Sequence, residues 1–88
     1  MIFVFDVAEQ HVSAFKNRGQ ASKAVLAALS VSVPEQVDPV RALNQLDQDD
    51  HIVLTLSEAF DSIACTESEL RQELALKFKR AVDDFYQK

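Results

Sequence analysis

Residues 66–86 constrain the fold most, because one apolar stripe runs through them: Leu70, Leu74, Phe78, Ala81, Val82 and Phe85. Spacings of three and four put all six on one face of an α-helix. Thr66 followed by Glu69 reads as a capping box that opens the helix, and Glu73 with Lys77 makes an i,i+4 pair on its exposed side. Burying the five larger side chains is worth roughly 8–15 kcal/mol before entropy is counted. A helix with such a face must be covered by the rest of the chain.

That remainder is read as helical too. The 88 residues include one glycine and two prolines, too few for the many turns of a sheet-rich domain, while 48% of the chain is apolar. A chain of this length makes one domain, 1–88, with little volume for a deep cleft. Asp6 with Glu9 resembles a helix start, so a helix is predicted from about Val7 to Arg18, ended by Gly19. "QASKAVLAALS" predicts a second helix, apolar around much of its circumference. Pro34 and Pro39 break the chain, after which Asp38 caps a third helix with Pro39 in its first turn.

Two segments leave the choice between strand and helix open. "IFVF" at residues 2–5 is β-branched and aromatic and reads as a short strand or an apolar lead-in. "HIVLTL" fits a strand, but a helix capped by Asp50 gathers Ile52, Leu56, Phe60 and Ile63 on one face and accounts for more residues. The fold class expected is therefore mainly α, a compact bundle of four to five short helices with room for a short N-terminal strand. The alternative is an α+β fold with strands near 2–6 and 51–56.

Chemistry-bearing patterns are sparse. Asp47, Asp49 and Glu58 occupy positions 1, 3 and 12 of a calcium loop, yet His51 at position 5 is a poor ligand for a hard cation and Ile52 at position 6 resists the required turn. His11, His51 and Cys65 form no recognised metal spacing. Cys65 alone permits no internal disulfide and reads as a small buried apolar residue. No metal, cofactor or catalytic residue is assigned, and no enzyme is expected.

"LAALSVSVPEQV" has the flavour of a helix-turn-helix turn, displaced by one residue and set among Glu35, Asp38 and Asp47, which oppose approach to phosphates. From "LSVSVPEQVDP" through "IVLTLSEAFDSI" the order of helix, proline-containing loop and short helix resembles an acyl carrier protein over about half the chain. That family carries phosphopantetheine on the serine of a D-S-L motif. Asp49, Asp50 and His51 stand there instead, so the resemblance implies a helix over 51–63 and no carrier activity.

The net charge of −5 opposes nonspecific binding to nucleic acid. No apolar run reaches the ~20 residues of a membrane span, and "MIFVF" meets Asp6 too soon for a signal peptide. These exclusions favour a cytoplasmic protein–protein interaction module, an adaptor, inhibitor or regulatory subunit that presents a surface. Its expected contact residues are Ile2, Phe3 and Phe5, through which a homodimer would form, and Asp47, Asp49 and Asp50. The alternatives are a DNA-binding regulator and a small-ligand or metal-binding helical module.

Overall fold

The computed structural model describes residues 1–87. Its elements are β1 (Ile2–Asp6), β2 (His11–Phe15), α1 (Arg18–Ala28), α2 (Pro39–Asn44), β3 (His51–Thr55), α3 (Leu56–Cys65) and α4 (Ser68–Gln87). With 54% helix and 17% strand, the fold is α+β, which corrects the expected mainly α bundle. The three strands form one antiparallel sheet in the order β2-β1-β3.

The first strand in the chain is thus the central one. Alternation sends Ile2 and Val4 to one side of the sheet, where they pack with Ala21, Val25 and Leu26 of α1 and Leu43 of α2. Phe3 faces the other side and joins Val12 of β2, Ala59 of α3 and Phe78 and Ala81 of α4. Phe3 and Phe78 meet edge to face with ring centroids 5.1 Å apart. Helices on both faces explain why β1 is apolar at consecutive positions rather than alternate ones.

The helix predicted over 7–18 is replaced by a β-hairpin. The Asp6 carboxylate does accept a hydrogen bond from the Glu9 N–H (3.1 Å), as a helix cap would. The chain then reverses: Gln10 takes φ 53°, its amide donates to the Val7 carbonyl (2.8 Å), and His11 pairs with Asp6. A four-residue loop of this kind is a common hairpin connection. Ala8, Val12 and Phe15 would have shared the face of the expected helix; in β2 Val12 points with Ala14 toward α4, while Phe15 packs on the α1 side of the sheet.

Gly19 ends no helix; it lies in the first turn of α1, where a Cβ would sit 3.3 Å from the Asn17 Oδ1 that accepts from the Gln20 N–H (2.9 Å). The helix ends at Leu29 in a Schellman arrangement, with Ser30 at φ 60° donating to the Ala27 carbonyl (3.0 Å) and Val31 donating to that of Leu26 (2.9 Å). Asp38 caps α2 as predicted, accepting from the Val40 N–H at 3.0 Å. Ten residues separate α1 from α2, whose six residues make under two turns, so the region does not form the compact helix-turn-helix that its sequence suggested.

The helix predicted over 51–63, which the acyl carrier resemblance also implied, divides into β3 and α3. Thr55 is the hinge between them. Its hydroxyl accepts from the Glu58 N–H (3.2 Å) while the Glu58 carboxylate accepts from the Thr55 N–H (3.0 Å), a reciprocal capping box that starts α3 directly from the strand. At the α4 start the Thr66 hydroxyl donates instead to the Ser62 carbonyl (2.7 Å), closing α3. Along the α4 stripe Phe78 and Ala81 are buried and Leu74 and Val82 pack beside them, whereas Leu70 is exposed.

Candidate interaction surface

Strand β3 forms one border of the sheet, and the elements that flank it leave apolar side chains uncovered. On α3, Ala59 is buried and Ile63 packs next to it, while Ser62 lines a cleft with Leu74 and Phe78 of α4. Ile52 and Leu54 of β3 line the same cleft as Ser62, while Leu56 and Phe60 project from the opposite flank of α3. They are 48% and 63% exposed, and Ile52 of β3 is 44% exposed. On the other side of the border, Leu43, Leu46 and Val53 line an open cavity of about 480 Å³ together with Gln48, Asp49, His51 and Ile52.

The border is acidic. Between Arg41 and Arg71 lie Asp47, Asp49, Asp50, Glu58, Asp61, Glu67 and Glu69, with no lysine or arginine. Arg18 reaches the cavity from α1 and sits 4.0 Å from the Glu58 carboxylate. Hydrogen bonding by Thr55, main chain first and hydroxyl second, holds the Glu58 carboxyl below its ordinary value, and Arg18 adds a smaller pull against slight desolvation.

The outer backbone of β3 is partly occupied by the chain itself. In an antiparallel strand the N–H and C=O of one residue point to the same side, and successive residues alternate. The Asp50 carbonyl accepts from the Val7 N–H (2.9 Å), so residue 50 faces β1 and residues 51, 53 and 55 face outward. The Gln48 side-chain amide takes both groups of His51: Oε1 accepts from its N–H and Nε2 donates to its carbonyl, each at 3.0 Å. Glu58 takes the outward N–H of Thr55. Val53 is left between them.

The expected contact residues divide. Ile2 and Phe3 are core side chains on opposite faces of the sheet and present no surface; Phe5 is half-buried and lines the α3–α4 cleft. Asp47, Asp49 and Asp50 are exposed in the segment that leads into β3. Asp50 is no helix cap, since β3 follows it. The calcium-loop spacing is dismantled, because β3 separates the acids from Glu58 by roughly 17 Å of extended chain. Ile52, Leu56 and Phe60, which the sequence placed on a buried helix face, are surface residues, and Gln48 carried no role at all. The Thr55-x-x-Glu58 spacing was the available signal, since a capping box marks a helix start and so detaches "HIVL" from the helix that follows.

The histidines come together with Asp6. His11, Asp6 and His51 lie in register across the three strands, and His51 Nε2 is 3.5 Å from the Asp6 carboxylate. They line a small cavity of about 140 Å³ beneath α1 with Ser13 and Val25. His51 Nδ1 is buried without a hydrogen-bond partner among the described residues. Cys65 is exposed at the end of α3, contrary to its expected burial, and the described residues contain no group of three or more metal-ligand side chains placed to hold an ion. No described helix is long and apolar enough to cross a membrane.

No family model matches the chain, and none of the curated proteins or solved structures compared with it matches.

Proposed function

We propose that the protein is a small acidic interaction module, an adaptor, inhibitor or regulatory subunit, that receives a basic, apolar segment of another protein along the β3 border. The observation that carries this reading is the exposure of Ile52, Leu56 and Phe60 within a stretch rich in carboxylates and free of lysine and arginine. Large apolar side chains at the centre of a patch supply affinity when a partner excludes water from them, and a rim of one charge sign selects the partner and speeds encounter. The surface acts by contact, and no chemical step belongs to the reading. A homodimer through "MIFVF" loses its motive, since β1 is paired on both sides.

The test is a photo-crosslinking amino acid placed at Phe60, at Leu46 and, as a control, at Lys79 on the exposed side of α4, each expressed in the native host. Adducts with the same protein are expected at the first two positions and not at the third. A Leu56→Glu/Phe60→Glu double variant is expected to lose the adduct formed at Leu46 while melting within a few degrees of the parent. Adducts that form equally at Lys79, or that survive the double variant, overturn the assignment of this surface.

A further inference from the structure

We infer that the partner segment binds as an extended strand added to β3, and that the Gln48 amide is a placeholder which the incoming backbone displaces. This rests on the surface assigned above and adds how it is used. The side-chain amide of Gln48 makes with His51 the paired donor and acceptor contacts that a neighbouring strand would make. An unpaired strand border invites unwanted pairing, and soluble proteins guard it. Here the guard is a side chain rather than a covering element, so it can leave.

The flanks of the border fit the alternation of an added strand. Side chains on one side of it would meet Ile52 and the mouth of the cleft that Ile52 lines with Phe5 and Leu54; those on the other would enter the cavity lined by Leu43, Leu46 and Val53. The first receptor is apolar, and the second sets Leu43, Leu46 and Val53 among Arg18, Asn44, Gln48 and Asp49. The outward N–H and C=O of Val53 are available at once, and those of His51 become available when Gln48 swings away.

Charge selects the occupant. A second copy pairing about a two-fold axis at Val53 would bring Asp49 and Asp50 against the start of the other copy's α3, where Glu58 sits, and like charges face to face oppose that contact. A strand carrying lysine or arginine at its ends meets those carboxylates favourably. The occupant is therefore a basic, extended segment of a different protein.

A random peptide library displayed on phage, selected on the whole chain, supplies the probe, and the recovered peptides are then synthesised and titrated. The expected peptides alternate apolar residues, avoid proline and carry lysine or arginine. Gln48→Ala is expected to bind them about three- to tenfold more tightly, because the incoming backbone no longer has to break the amide's two hydrogen bonds. Val53→Pro, which removes an outward N–H and leaves the pairing with β1 intact, is expected to weaken binding about tenfold or more. Should that variant fail to fold, hydrogen exchange in the parent decides: bound peptide must slow exchange at the Val53 amide.

Recovered basic peptides with helical periodicity, indifferent to Gln48→Ala and leaving Val53 unprotected, would overturn the strand mode and leave the interaction surface standing. Peptides without basic character, or none, would overturn both. Dimerisation of Gln48→Ala by light scattering in the absence of peptide would show that the occupant is a second copy.

Discussion

Single residues account for the places where a local rule held but its setting was misjudged. The Asp6 hydrogen bond to the Glu9 N–H is the one that a helix cap would make, yet it supports a hairpin because Gln10 turns left-handed and the chain returns along β1. Asp38 and Pro39 were readable because cap and proline together permit little besides a helix start. Ser30 is less economical. It holds φ 60° at the position where helices usually end in glycine, and an L-residue there costs about 1–2 kcal/mol in backbone strain. Ser30→Gly should therefore raise stability by about 0.5–1 kcal/mol, part of the relief being lost to the flexibility that glycine gives the unfolded chain. Denaturant unfolding measures it; an unchanged midpoint would mean that the Schellman hydrogen bonds leave no strain at Ser30.

At the scale of elements, short apolar runs deceived where their neighbours decided. Ile52, Leu56, Phe60 and Ile63 share a helix face only if residues 51–63 are one helix, and the strand ends at Thr55 because its hydroxyl and Glu58 together start a new one. Likewise, Ala8, Val12 and Phe15 share a helix face by spacing, but pairing with β1 sends Val12 and Phe15 to opposite sides of the sheet. The α4 stripe was legible because twenty residues carry it, more than a strand can hold. Gln48 was illegible, since its role depends on the outward backbone of a strand not itself recognised. Thr55→Ala removes one half of the capping box and is expected to cost about 1 kcal/mol, within the 0.5–2 kcal/mol typical of such caps. The Glu58 carboxyl lies below its ordinary value of 4.5 in the folded protein, so its contribution is present above that value and disappears as the pH falls through the lowered one. The difference in stability between parent and Glu58→Gln, followed by denaturant titration from neutral pH downward, should narrow over that acid range. A constant difference would show that the negative charge is not what the cap uses.

The molecule as a whole was harder to foresee, because composition weighs residues and not their pairing. A single glycine and two prolines suffice for three strands when one turn is closed by Gln10 and another strand runs straight into a helix. The acidic run at 47–50 was visible in the sequence; that it leads into a border strand with Ile52 exposed follows only from the sheet. The placement of β1 between β2 and β3 also has a consequence in time. Its hairpin partner follows within a few residues, but its second partner begins at residue 51, so a chain emerging from the ribosome holds an apolar strand with one bare side until more than half of its length has been made. Closing that gap joins distant parts of the chain and is the entropically expensive event of folding. Leu54→Ala, which thins the packing of β3 on the Phe3 side of the sheet, should therefore slow refolding, with at least half of its stability loss appearing in the folding rate. Stopped-flow refolding measures this, and a loss confined to faster unfolding would place the arrival of β3 after the rate-limiting barrier. During synthesis the bare side of β1 is the chain's period of greatest exposure to wrong partners, and the rate at which residues 51–55 are delivered sets how long that period lasts.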